Sequence, residues 1–225
     1  MLNAAMRIAA KDLRLVLTRG TGLTQALLLG LLLIFVFSLS QQIGEVMSPQ
    51  GAAAIFWLAS AFCQVLIFNT LYSLEEVNGA RFGLLLAPVP VQSVWLGKGL
   101  AGLLLLLCAQ LVFIPAAVVF LGQSVSALWP AGLLAVFLVD LGIMALGSLL
   151  GALSQGQAAR ESMLSIILFP LLIPALLAGI RLGAAAFSGQ LPEGAQSWIG
   201  IAAAFDALFL GAGLVLFPFI YSGEG

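Results

Sequence analysis

Two carboxylates stand where carboxylates are costly. Asp140, in "AVFLVDLGIM", falls near the middle of a long apolar run, and Asp206, in "AAAFDALFLG", falls in the outer third of another. A charge at the centre of a bilayer costs roughly 2.5–3.5 kcal/mol on insertion scales, so each side chain should face a bundle interior or water. Two chemistries suit such a residue. One is a polar pathway or proton relay. The other is a carboxyl group that hydrogen-bonds a neighbouring helix. Neither aspartate has a basic partner within an apolar run, whereas Gln64, Asn69 and Gln110 offer hydrogen bonds from two other runs, which favours the second.

Other chemistries are excluded by residue type. The chain has no histidine, which removes Ser-His-Asp and Cys-His catalysis, His metal sites and the commonest axial heme ligand. Gly97-Lys98 resembles the end of a phosphate-cradling G-x-x-x-x-G-K-[ST] loop, but position 92 is Gln92. No catalytic residue is therefore expected, and any ATP must be hydrolysed by a partner subunit. C-x-x-C-H is absent, so no heme is attached covalently. Cys63 and Cys108 lie in apolar runs and read as small buried hydrophobes, with no metal site implied. Met6, Met47, Met144 and Met163 are ligand types for iron, but scattered methionines are usually packing residues. No cofactor is expected to bind directly, and direct heme contact stays open.

The elements that carry these residues follow from composition. Hydrophobic residues make up 62% of the chain and charged ones 8%, with a mean hydropathy of +1.18. A soluble domain has about 25% charged residues, so lipid must be the solvent for much of this one. Six apolar runs reach the ~20 residues that a helix needs to cross ~30 Å of hydrocarbon. They lie at about 22–43, 52–73, 98–121, 127–152, 161–181 and 197–221 of a single membrane domain spanning 1–225. The expectation is an all-α bundle of six transmembrane helices. A net charge of −1 speaks against a nucleic-acid partner.

Seven of the eight Lys and Arg residues fall on one side of such a bundle: Arg7, Lys11, Arg14, Arg19, Arg81, Lys98 and Arg160, against Arg181 alone. The positive-inside rule then places both termini in the cytoplasm. The N-terminal stretch is not a cleavable signal, because its cations precede the apolar run. In "LNAAMRIAAKDLRLVLTRG", Arg7, Lys11, Arg14 and Thr18 share one helical face while Leu2, Met6, Ala9, Leu13 and Leu17 line another. That pattern describes a helix over 1–21 lying in the membrane interface, with the lipid bilayer as its partner.

Between the second and third runs, "SLEEVNGARFGLLLAPVPVQSVWLGK" spends far more residues than the 2–8 typical of a helix–helix connection. Glu75 and Glu76 suit the positive end of a short helix. Gly79 and Ala80 keep it slim, Arg81 adds charge, and Phe82, Leu84, Leu85 and Leu86 supply an apolar face. Pro88 and Pro90 stop it. Trp95 and Lys98 suit the headgroup level where the chain re-enters lipid. Such a helix, over 74–90, either packs on the bundle's own base or fits a groove on a soluble partner. Pro115, Pro170 and Pro174 should bend their spans. Gly147 and Gly151 have the G-x-x-x-G spacing of close helix packing.

The charged segment resembles the stretch after the second span of the heme exporter B (CcmB) family, the permease subunit of an ABC-type complex in cytochrome c maturation. That family shows an acidic pair, a glycine, a Leu-rich turn, Pro-x-Pro and a Gly-Lys. Here these are Glu75 and Glu76, Gly79, Leu84 to Leu86, Pro88 and Pro90, and Gly97 and Lys98. "SMLSIILFPLLIPALLAG" is similar to the family's fifth span, and "AAFDALFLGAGLVLFPFI" to its end. The resemblance extends over essentially the whole chain. It implies an ABC-2-like permease bundle in the bacterial inner membrane whose 74–90 segment is a coupling helix for an ABC ATPase subunit. It also implies a CcmC-like heme-handling membrane subunit, a small CcmD-like single-span subunit and a CcmE-like periplasmic heme chaperone. ATP hydrolysis by the partner would then drive heme export or release of the heme-loaded chaperone. Alternatives are an ABC-2-type exporter of another substrate, an ATP-independent scaffold, or a proton-coupled transporter using Asp140 and Asp206.

Overall fold

The computed structural model describes residues 1–41, 46–77, 83–84, 86–153 and 158–222, with 19, 21, 76–77, 158–166 and 222 described by backbone alone. Glu45, Gly79, Ala80, Arg81, Phe82, Leu85 and Gly156, with the side chains of Arg19, Glu76, Arg160 and Met163, lie outside the described residues.

The described secondary structure is entirely helical. The helices are α1 (Leu2–Arg19), α2 (Thr21–Leu39), α3 (Pro49–Val77), α4 (Val91–Phe120), α5 (Trp129–Leu153), α6 (Ala158–Gly183), the single-turn α7 (Ala185–Ser188) and α8 (Ala195–Ser222). Among the described residues, six stretches are long and apolar enough to cross a membrane: Gly22–Leu39, Pro49–Glu75, Val91–Phe120, Trp129–Leu153, Ile167–Ser188 and Ala195–Tyr221. The all-α, six-span class expected from the apolar runs is the observed one. Gly20 separates α1 from α2. Its φ of 70° is open to glycine at little cost, and its N–H closes α1 on the carbonyl of Val16.

Two boundaries differ from the expected ranges, and both bear on the site. Helix α3 runs one turn past residue 73 and carries Glu75 inside it. Helix α4 begins at Val91, seven residues before 98. Pro90 precedes its first turn with φ −59° and ψ 134°, and Ser93 donates its N–H to the Pro90 carbonyl at 2.8 Å. Proline has no N–H to lose and stops the preceding segment, so the new helix starts directly after it. Trp95 and Lys98 therefore sit within α4 and are buried against other helices.

Helix α5 is the centre of the bundle and touches α3, α4, α6 and α8. Its Gly147 and Gly151 form the seat for α3. A Cβ on Gly151 would come within 2.6 Å of the Tyr72 ring, and one on Gly147 would strike Gln64 and Phe68. Pro115 lies within α4, Pro170 and Pro174 within α6, and Pro218 within α8. Each removes one helical N–H donor while the helix continues through it. Cys63 is buried, but Cys108 is exposed on α4, on a surface that lipid rather than protein would cover. At the end of the bundle away from the termini, the guanidinium of Arg181 stacks 5.8 Å from the Trp198 ring centroid.

Helix α1 packs along α4 through Ala5, Ile8, Ala9, Asp12 and Val16. Of the apolar line expected to face lipid, Ala9 is buried against the bundle. Leu13 is partly covered, while Leu2, Met6 and Leu17 are exposed. The chosen face is the one that lets backbones meet. A Cβ on Gly97 would lie 2.7 Å from the Ala5 carbonyl oxygen and 2.8 Å from the Ile8 Cβ. Gly97→Val should push the two helices apart and lower stability by about 1–3 kcal/mol. Gly200→Ala, where a Cβ meets nothing within 4 Å, should leave stability unchanged or raise it by up to about 1 kcal/mol. Thermal unfolding of both variants in detergent checks the pair.

Candidate functional site

At the end of the bundle that carries the termini, four charges close into a ring. Lys11 Nζ lies 3.0 Å from Asp12 Oδ1 and 3.0 Å from Glu75 Oε1. Lys98 Nζ lies 3.4 Å from Asp12 Oδ2 and 3.1 Å from the same Glu75 oxygen. Two ammonium groups thus alternate with two carboxylates, and the ring is neutral as a whole. Asp12, Glu75 and Lys98 are at most 3% exposed. Neutrality is what makes this tolerable, because an unpaired charge removed from water costs several kcal/mol.

The remaining hydrogen-bonding capacity is filled. Lys98 donates to the Leu71 carbonyl at 2.8 Å, which gives each of its three N–H groups an acceptor. Its ammonium also lies 4.6 Å from the centre of the Tyr72 ring. The Tyr221 hydroxyl of α8 donates to Glu75 Oε2 at 3.1 Å. Below the ring, the Tyr72 hydroxyl donates to the Ser148 carbonyl at 2.7 Å, and the Ser148 hydroxyl donates to the Trp95 carbonyl at 3.0 Å. One continuous polar network therefore binds α1, α3, α4, α5 and α8. Burial would lower the Lys11 pKa, but the charges of Asp12 and Glu75 outweigh it and hold it above the ordinary 10.5. A raised lysine pKa is lost as a stabiliser only when pH climbs through it, so Lys11 keeps its charge across the whole neutral range.

Glu75 had been expected to face a partner at the start of a short helix. Instead both its oxygens are spent inside the bundle, and it presents no surface. Helix α3 continues as far as Glu75 because that is where the two lysines wait. The described part of the connection is different. Leu84 is half-buried against the core, whereas Leu86 is 87% exposed, and Pro88 and Pro90 are exposed. Ala87 and Val89 fold this piece into a tight turn through N–H bonds to Leu84 (3.3 Å) and Ala87 (2.7 Å).

The intramembrane polar residues divide. Gln110 of α4 donates through Nε2 to Asp140 Oδ1 of α5 at 2.9 Å and to Ser60 Oγ of α3 at 3.3 Å. Gln64 donates to the Ile143 carbonyl at 2.7 Å, one turn along α5. Asp206 is not part of this set. It faces Gly142, where a Cβ would lie 2.5 Å from its Oδ1, and two residues turn the α5 surface by about 200° from Asp140. Asn69 is half-buried and makes no side-chain hydrogen bond among the described residues. Asp140 thus has the geometry of interhelical glue. Asp140→Asn retains the acceptor for Gln110 and should change stability by less than about 1 kcal/mol with activity kept. Loss of activity in a variant that melts normally would point to proton transfer instead.

Asp12, Tyr72, Ser148 and Tyr221 carry the ring's connections and were not singled out from sequence. Asp12 could have been found. It is an acid at i+4 from Ile8 and i−4 from Val16, in the middle of the stripe that α1 buries.

The CcmB protein family matches residues 3–222 of this chain. Heme exporter protein B of Rhodobacter capsulatus is 29% identical over 215 residues, covering 89% of this chain and 92% of that protein. Heme exporter protein B of Pseudomonas aeruginosa is 26% identical over 203 residues, covering 88% and 89%. The match runs from the second residue of α1 to the last of α8 and so takes in every member of the charge ring. This multi-pass membrane protein belongs to the CcmB family.

Proposed function

We propose that this chain is the membrane subunit of an ATP-driven complex for cytochrome c maturation in the bacterial inner membrane, with its termini and the 74–90 segment in the cytoplasm. The likeness to heme exporter protein B over nine-tenths of its length supports the pathway. The observation that carries the mechanism is the exposed Leu86-Ala87-Pro88 turn, rooted on one side in α3 at Glu75 and on the other in α4 at Lys98. An ATPase subunit seated on that turn pushes on two helix ends that are locked to each other. Through Asp12 and Tyr221 the same lock includes α1 and α8, so the displacement is handed to the bundle as a unit.

Release of the heme-loaded CcmE-like chaperone, with CcmC-like and CcmD-like subunits in the same assembly, fits this geometry better than passage of heme through the bundle. The apolar cavity of about 270 Å³ between Phe56, Trp57, Ile114, Trp129, Val136 and Phe187 has no Met, Cys or Tyr in its lining, so nothing there could ligate iron. The test is co-purification of the complex with wild-type ATPase and with an ATPase that cannot hydrolyse. Trapping of loaded chaperone on the second complex is expected. Equal release without hydrolysis overturns the reading.

A further inference from the structure

Among the described residues, the ring uses one cation of α1, Lys11. Arg7 and Arg14 stand one turn to either side of Lys11 on the exposed face, and neither has an ion-pair partner among the described residues. Together with Ala10, Lys11 and Leu15 they line a shallow groove of about 490 Å³. Beside the groove, Leu2, Met6 and Leu17 are exposed rather than packed on the bundle. A groove lined by two arginines and the lysine between them, with an uncovered apolar flank, has the parts needed for one kind of molecule. It must carry a phosphate and bring its own hydrocarbon.

We infer that the Arg7–Lys11–Arg14 groove of α1 is a binding site for the headgroup phosphate of an anionic phospholipid, whose acyl chains lie along Leu2, Met6 and Leu17. Guanidinium groups grip phosphate oxygens in pairs, which an ammonium cannot do. The apolar flank distinguishes a lipid from free phosphate. Lys11 is 40% exposed on its side chain while its Nζ is held by Asp12 and Glu75. It therefore belongs both to the groove and to the buried ring, so a lipid phosphate competes with Glu75 for the same ammonium. The composition of the leaflet is thereby linked to the lock that joins α3 and α4, whether or not an ATPase acts on that lock.

The experiment uses the full chain in detergent, with dioctanoyl phosphatidylglycerol, dioctanoyl phosphatidylcholine or inorganic phosphate as probes and the thermal midpoint as the readout. Phosphatidylglycerol should raise the midpoint at concentrations where the other two do not. Arg7→Gln with Arg14→Gln should weaken that response at least about tenfold. The cation-retaining Arg7→Lys with Arg14→Lys should recover part of it, and Arg181→Gln at the opposite end should leave it intact. An unmodified chain that responds equally to phosphatidylcholine, or equally to inorganic phosphate, overturns the site. So does a glutamine variant that keeps its lipid response and loses an acidic protein partner instead, since the face would then belong to that protein.

Discussion

Lys98→Met is expected to lower stability by roughly 3–5 kcal/mol, the size seen when one member of a buried ion pair is removed. The methionine fills much of the same volume, so the loss is electrostatic rather than a cavity effect. It leaves Asp12 and Glu75 buried with a single ammonium between them, removes the second donor from the Leu71 carbonyl and takes the cation from above the Tyr72 ring. The second arm is sharper. Lys98→Met combined with Glu75→Gln removes one charge of each sign. It leaves the Lys11–Asp12 pair, while the amide oxygen still accepts from Tyr221. The double variant should be more stable than the sum of its parts by about 0.5–3 kcal/mol. Thermal melts of the four proteins followed by tryptophan fluorescence measure this directly. A Lys98→Met protein that melts with the wild type would mean the ring contributes nothing.

Leu86→Asp should cut association with the ATPase subunit about thirtyfold while leaving the melt unchanged. Leu86 is the most exposed of the large apolar side chains among the described residues. Its side chain is almost wholly exposed, so an aspartate there costs the free subunit little. An apolar anchor buried at the centre of an interface is worth about 2 kcal/mol or more when lost, which is the thirtyfold factor. Leu191→Asp supplies the control. Leu191 is also exposed, but in the loop between α7 and α8 at the other end of the bundle, and its substitution should leave the ATPase attached. Undiminished co-purification of the Leu86→Asp protein would remove the turn from the docking surface.

Residue-level expectations held or failed for reasons that can be named. Gln110 and Asp140 were expected to meet a neighbouring span, and they meet each other. Polar side chains are few in both runs, so the possible partners were few. Glu75 was given to a short helix of its own by its charge, and Lys98 and Trp95 were expected to reach the headgroups because charged and amphipathic residues near a span end ordinarily do. That rule treats each side chain alone. Here Glu75 and Lys98 pair with groups on other helices and the Trp95 ring packs on Gly213 of α8, and these neighbours make burial the cheaper state. Helix α1 shows the same limit. Its apolar line at Leu2, Met6 and Leu17 was legible, but the face it buries was decided by Gly97, more than 80 residues away along the chain, where a missing side chain lets Ala5 and Ile8 approach.

Composition and run length were enough by themselves to determine the class, the number of spans and which end holds the cations, because lipid demands satisfied backbones and about 20 apolar residues per crossing. Only the folded bundle decided which charges meet. Asp12 and Lys98 are 86 residues apart, Lys11 and Glu75 are 64 apart, and Glu75 and Tyr221 are 146 apart. A periodic pattern reports which side of one helix is oily and carries nothing about which helix lies opposite. The ring exists because packing of small residues at Gly97, Gly147, Gly151 and Gly213 brings five helices close enough for opposite charges to replace water.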